Sequence, residues 1–219
     1  MVSECIIITG TSLCGGGTMK KAIVAIACIY LVLLLLTGCP MLQRQAERSS
    51  FIADTNLEDA IRKELGIRWG RIEPEDLARL TELYASWINI SDISGLEYAV
   101  NLEILFMRGN RITDISALEG LTKLEILFLH NNRIVDISPL ENLTSLRKVD
   151  LWGNEIVDIS PLARNEGLGE GSYVDLRRNA YSSFGTASLH DETLDDLESR
   201  GVVVFTGDGI DPIHWEDLP

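Results

Sequence analysis

A 22-residue period governs the middle of the chain. Residues 102–123 read LEILFMRGNRITDISALEGLTK, residues 124–145 read LEILFLHNNRIVDISPLENLTS, and residues 146–167 repeat the pattern as LRKVDLWGNEIVDISPLARNEG. A unit this short cannot enclose so many regularly placed aliphatics alone, so each unit must stack on its neighbours around one continuous core. The recurring apolar places are Leu102, Leu105, Met107, Ile112, Ile115, Leu118 and Leu121, then Leu124, Leu127, Leu129, Ile134, Ile137, Leu140 and Leu143. Over Leu105-Phe106-Met107 and Leu127-Phe128-Leu129 the pattern alternates with a period of two. Each unit is therefore expected to open with a short strand, and the strands to stack in parallel about 4.8 Å apart.

The asparagine after each strand stands where the chain turns off the sheet, and its amide both donates and accepts. Asn110, Asn132, Asn154 and Asn179 are thus expected to form a structural ladder bonding to the backbone of adjoining coils. Asp114, Asp136 and Asp158 each precede a serine by two residues, at Ser116, Ser138 and Ser160. A short carboxylate there satisfies the free N–H groups of a tight turn, a structural role for a feature that recurs once per unit.

This pattern resembles the leucine-rich repeat, and its length, with Asp-Ile-Ser-Pro-Leu on the return side, is similar to the bacterial class typified by the internalins. Residues 51–83 (FIADTNLEDAIRKELGIRWGRIEPEDLARLTEL) resemble the helical cap that precedes such repeats, and residues 173–204 resemble their closing unit. The resemblance implies an α/β solenoid with parallel strands on a concave sheet, a helical N-terminal cap and an α/β C-terminal closing unit. It says little about function, because one fold hosts many partners.

The residues alone support the caps. Leu57, Ala60, Ile61 and Leu65 fall at helical spacing behind Thr55 or Asn56 as N-cap, and Pro74 suits the first turn of a second helix containing Leu77 and Leu80. The coil at residues 80–101 is degenerate, with Ile88 in the place of the ladder asparagine, as terminal repeats tend to be. Asn154 and Asn179 are 25 residues apart, and the excess lies in the Gly-rich ARNEGLGEGS. A protruding, mobile loop is expected at residues 163–172.

The first 50 residues are of another kind. Met19-Lys20-Lys21 precedes an uncharged apolar run of 15 residues, Ala22 to Leu36, and then Thr37-Gly38-Cys39. A basic start, a short apolar core and small residues describe a secretory signal, and Leu-Thr-Gly-Cys resembles the lipobox of bacterial lipoproteins, which implies lipidation at Cys39. The run is shorter than the roughly 20 residues of a spanning helix, so an uncleaved anchor is the weaker reading. Residues 1–18 do not suit a signal's basic start, and translation is expected to begin at Met19. The organisation expected is then 1–18 mis-assigned, 19–38 signal peptide, 39–50 tether, 51–79 cap, 80–172 repeats, 173–205 closing unit and 206–219 tail. All four cysteines, Cys5, Cys14, Cys28 and Cys39, lie at or before the lipobox, so the exported domain must hold together without disulfides.

The chain carries a net charge of −14, and loss of Lys20, Lys21 and Glu4 with residues 1–38 leaves the remainder one unit more negative. Such a surface repels phosphate backbones, so nucleic acid is not an expected partner. Catalysis finds no support: His130, His190 and His214 are far apart in sequence, with no G-x-S-x-G, H-E-x-x-H or Walker lysine. No metal or other cofactor is expected; Asp208-Gly209-Ile210-Asp211 lacks the ligand series of a calcium loop. The acidic stretch at residues 191–198 holds Leu194 and Leu197 at helical spacing before Gly201, and reads as a solvated helix face.

The informative set is the outward side chains of the strands, which align in columns across the coils. One column is Tyr84, Phe106, Phe128, Asp150 and Asp175; a second is Glu82, Ile104, Ile126, Lys148 and Tyr173; a third is Ser86, Arg108, His130, Trp152 and Arg177. Ile104, Ile126, Phe106, Phe128 and Trp152 are expected to form an exposed apolar centre, with Glu103 and Glu125 toward one end and Arg147, Lys148, Arg177 and Arg178 toward the other. The plainer alternative pairs Glu125 with Arg147 and lets the aromatics merely favour the sheet. His130 is expected to face solvent or a ligand. The reading preferred is a non-enzymatic, membrane-anchored module at the cell membrane or outer envelope, binding a protein or peptide through Tyr84, Ile104, Phe106, Arg108, Ile126, Phe128, His130, Lys148, Trp152, Tyr173 and Arg177. The alternative is a structural or carbohydrate-contacting envelope lipoprotein, with Tyr84 and Trp152 stacking on sugar rings.

Overall fold

The computed structural model describes residues 51–181 and 187–207. Cys39, the signal, the tether, the side chain of His190, His214, the 208–211 stretch and most of the tail lie outside what is described. Among those described, no helix is long and apolar enough to cross a membrane.

Helix α1 (Thr55–Leu65) begins the domain and buries Leu57 and Ile61. Its N-cap is Asp54, not Thr55 or Asn56, because the Asp54 carboxylate reaches the amides of Asn56 and Leu57. Gly66 ends it in the left-handed region, at φ 69°. Helix α2 (Pro74–Leu77) stops a turn short of the expected length, so Leu80 is buried from outside it.

Six three-residue strands follow: β1 (Glu82–Tyr84), β2 (Ile104–Phe106), β3 (Ile126–Phe128), β4 (Lys148–Asp150), β5 (Tyr173–Asp175) and β6 (Val203–Phe205). They pair in parallel and in sequence order. Leu83, Leu105, Leu127, Val149 and Val174 point to the core and are fully enclosed. Short 3₁₀ turns at Leu96–Tyr98, Ser116–Leu118 and Ser138–Leu140 form the return side. Before them, Asp92, Asp114, Asp136 and Asp158 each accept the amide two residues on, all at 2.8 Å. The bond to the Ser116 amide, with that residue's side chain, holds the Asp114 carboxyl below the ordinary carboxylate range.

The asparagine ladder forms as expected. Asn132 donates to the carbonyls of Met107 (3.0 Å) and Leu129 (2.8 Å) and accepts the Ile112 amide (3.1 Å). Asn154 repeats this with Leu129, Leu151 and Ile134, and Asn179 with Leu151, Leu176 and Ile156. Asn110 reaches the degenerate coil through Ala85 O and the amides of Ile88 and Ile90. Each amide thus joins its own turn to the coil before it, in buried surroundings for Asn110, Asn132 and Asn154 and half-buried ones for Asn179.

The 163–172 segment is not a protruding loop. After helix α3 (Ser160–Arg164), Asn165 is wholly buried and donates to Leu140 O (2.7 Å) and Leu143 O (3.1 Å). Leu168 and Ser172 are buried as well. The three extra residues are absorbed because this second interior asparagine ties the insertion to the preceding coil. Helix α4 (Ala187–Ser199) then buries Leu197, leaves Glu192, Asp195, Asp196 and Glu198 in solvent, and Gly201, at φ 83°, turns the chain into β6.

Candidate functional site: the outer face of the sheet

Register places the outward side chains as the repeat arithmetic requires. Tyr84, Phe106, Phe128, Asp150 and Asp175 are successive partners, as are Glu82, Ile104, Ile126, Lys148 and Tyr173. Arg108, His130, Trp152 and Arg177 follow two positions beyond the strand ends, their carbonyls accepting the amides of Trp87, Gly109, Asn131 and Gly153. All eleven residues singled out for binding therefore border one face. They do not form one uniform exposed patch.

The half of the face on β1–β3 is apolar and open. Tyr84 is 49 % exposed, and Ile104, Phe106 and Ile126 are half-buried. Tyr84 meets Phe106 edge-on at 5.1 Å between centroids, and Phe106 stacks on Phe128 at 4.7 Å. Phe128, expected to be exposed, is only 8 % so, because neighbouring side chains cover it on the face itself. The Tyr84 hydroxyl donates to Glu82 at 2.8 Å, which pushes that phenol above its usual range.

The half on β4 and β5 is closed by its own polar contacts. His130 is not solvent-facing: its Nδ1 lies 2.7 Å from Asp150 Oδ2, and its ring meets Trp152 edge-on at 6.0 Å. Arg177 forms a two-pronged pair with Asp175, Nη2 to Oδ2 at 2.8 Å and Nε to Oδ1 at 3.0 Å. Burial pushes the Asp175 carboxyl above the ordinary carboxylate range and the nearby Asp150 charge adds to this, against the lowering effect of Arg177. Tyr173 is 7 % exposed with Lys148 over its ring, and Arg178 covers the ring of Trp152 at 5.5 Å. Arg147 does not pair with Glu125; its guanidinium donates to Gly167 O and Leu146 O. His130 with Asp150, and Arg177 with Asp175, thus pair across columns, which a reading of each column by itself does not show.

Sequence reasoning also passed over Trp87. It is 63 % exposed and lies at the edge of the open half. Its signal was available: the equivalent residues of the following coils are Gly109, Asn131 and Gly153, small or turn-forming where this coil has an indole. Among the described residues no group of histidine, cysteine, aspartate and glutamate side chains is arranged to hold a metal ion.

Comparison with known proteins agrees with this architecture. The family of "Leucine Rich repeats (2 copies)" matches residues 100–142 and 122–164. The crystal structure of the internalin inlF of Listeria monocytogenes is similar at 28 % identity and a TM-score of 0.51, over 74 % of this chain and 59 % of that one. This chain therefore spans about three-fifths of that internalin's length. Internalin C2 of the same species (21 % identity, TM-score 0.32, 71 % of this chain and 94 % of that one) is a more distant match. So are the CBM51-2 and INT domains of Clostridium perfringens ZmpB (33 % identity, TM-score 0.32, 38 % of this chain and 18 % of that one). No curated protein matches the sequence. With its 22-residue units, asparagine ladder and open parallel sheet, the described domain is a leucine-rich-repeat solenoid similar in fold to the internalins.

Proposed function

We propose that the chain is an exported, membrane-anchored binding module without catalytic activity, holding a protein or peptide on the outer, concave face of its sheet. The observation that carries this reading is the open apolar strip of Tyr84, Ile104, Phe106 and Ile126, beside a half in which His130 pairs with Asp150 and Arg177 with Asp175. An aromatic and aliphatic surface rimmed by charge is what a protein partner covers with greatest gain. Solenoids of this kind use the extended sheet for such contacts. Anchoring rests on the lipobox-like Leu36-Thr37-Gly38-Cys39.

Capture from envelope extracts by the wild-type chain and by an Ile104→Asp/Ile126→Asp variant tests the surface. A protein retained by the wild type and lost by a variant with an unchanged melt supports the reading, and equal retention refutes it. Labelling with a fatty-acid analogue should be lost in Cys39→Ser, and the protein should leave the membrane fraction. The carbohydrate reading keeps Tyr84 as an open ring but finds Trp152 beneath Arg178, and a glycan array distinguishes it.

A further inference from the structure

One place in every coil has left-handed backbone: Trp87, Gly109, Asn131, Gly153 and Arg178 have φ of 61°, 66°, 55°, 67° and 56°. Their amides donate to the carbonyls of Arg108, His130, Trp152, Arg177 and Gly207 in the next coil. The conformation therefore belongs to the solenoid and not to the residue occupying it. Glycine enters it freely and asparagine with little strain, whereas a bulky side chain is strained there.

Trp87 carries that strain and recovers little by burial, being 63 % exposed. Its ring lies on Gly109 so closely that any side chain at 109 would occupy the same space as the indole. A strained backbone at 87 and a bare glycine at 109 together present a large aromatic to solvent. Such strain is retained where it serves recognition.

The same edge carries guanidiniums. Arg108 is exposed beside Gly109, Arg111 is exposed two residues beyond it, and Arg133 stands in the equivalent place one coil on. Their guanidiniums make no ion pair or hydrogen bond among the described residues. This is so although the chain has 33 acidic residues against 19 lysines and arginines. Glu82, Glu103 and Glu125 stand at the opposite ends of β1–β3; in the next coil Arg147 and Lys148 take that end and Glu155 follows Arg133, so the basic edge is confined to the first three coils.

We propose that Trp87, Arg108, Arg111 and Arg133 form the docking point for an acidic peptide segment, which lays an apolar side chain on the indole and carboxylates against the guanidiniums. This rests on the protein-binding reading above and specifies the partner's chemistry. Arginine offers donors only, matching carboxylates, whereas sugar hydroxyls require acceptors as well. Tyr84, exposed three residues before Trp87, meets Phe106 edge-on, so a chain entering at the basic edge can cross onto the open half of the sheet.

Fluorescence anisotropy of the full chain with short labelled peptides tests this. One peptide alternates Glu with Leu and Tyr, a second replaces every Glu by Gln, and an oligogalacturonate serves as acidic glycan. The Glu peptide should bind at least about tenfold more tightly than the other two. Trp87→Gly and Arg108→Ala/Arg111→Ala should each lose that preference. Trp87→Gly should melt at the same or a higher temperature than wild type, since glycine relieves the strain. Equal binding of the Glu and Gln peptides, no binding of either, or tighter binding of the glycan overturns the proposal. So does a Trp87→Gly variant that binds normally, or one that loses binding only together with thermal stability. Loss of binding in Phe106→Ala but not in Trp87→Gly would overturn this docking point while leaving the sheet-face reading intact.

Discussion

Asp54 Oδ2 accepts the backbone amide of Ser91 at 2.9 Å while Asp54 Oδ1 accepts those of Asn56 and Leu57 at 2.9 and 3.2 Å. One carboxylate therefore caps helix α1 and clasps the first coil, 37 residues further along the chain. Burial alone would push this carboxyl up, but the amides of Ser91, Leu57, Asn56 and Asp92 together hold it below the ordinary value near 3.8. Its stabilising effect is then complete above that unfolded-state value and fades as pH falls through the lower folded-state value. Asp54→Ala should cost about 1–2 kcal/mol at neutral pH. In urea titrations at a series of pH values, the gap to wild type should shrink below pH 4. A gap that stays constant into acid would show that the carboxylate charge is not what joins the cap to the coil.

The ladder makes a sharper demand. Asn132→Ala removes three hydrogen bonds to backbone groups of two coils, and should destabilise the domain by about 1–3 kcal/mol. Asn131, which the repeat pattern suggests is merely solvent-facing, is half-buried and left-handed. Its proper control is therefore Asn131→Gly, which keeps the backbone relaxed. Denaturant midpoints should fall for Asn132→Ala and stay near wild type for Asn131→Gly.

The two faces of the sheet should separate in a thermal melt. Leu127→Ala opens a cavity in the core and should cost about 2–5 kcal/mol. Phe106→Ala, half-buried on the outer face, should cost much less. Phe128→Ala should fall between them, because its ring is enclosed by Phe106 and other neighbours although it lies outside the core. Equal losses for Phe106 and Leu127 would contradict the distinction between faces.

Asn165→Ala tests the packed insertion. Its amide donates to Leu140 O and Leu143 O, its Oδ1 accepts the Gly167 amide, and its carbonyl accepts from Arg200. Removing the amide should cost about 1–3 kcal/mol and speed hydrogen exchange at Gly167 and in the adjoining turn. Exchange at Gly167 that is already fast in the wild type would return this segment to a mobile surface loop.

Spacing alone determined the repeat unit, the parallel strands, their register and the ladder from Asn110 to Asn179, because a period of 22 leaves one way to stack identical faces. Helical periodicity with Pro or Gly boundaries also placed the helices of the N-terminal cap and the helix before Gly201, because these are local signals. Which outward side chains remain open was a tertiary decision. His130 turns to Asp150 and Arg178 covers Trp152 across coils; Phe128 sinks between its neighbours, and Asn165 draws a Gly-rich insertion into the stack. Each outcome depends on what the adjacent coil presents in three dimensions, and a pattern read along one coil carries no information about lateral partners of differing chemistry. The strain at Trp87 belongs to the same class: the solenoid imposes the left-handed turn, and only the folded chain shows an indole held there over Gly109.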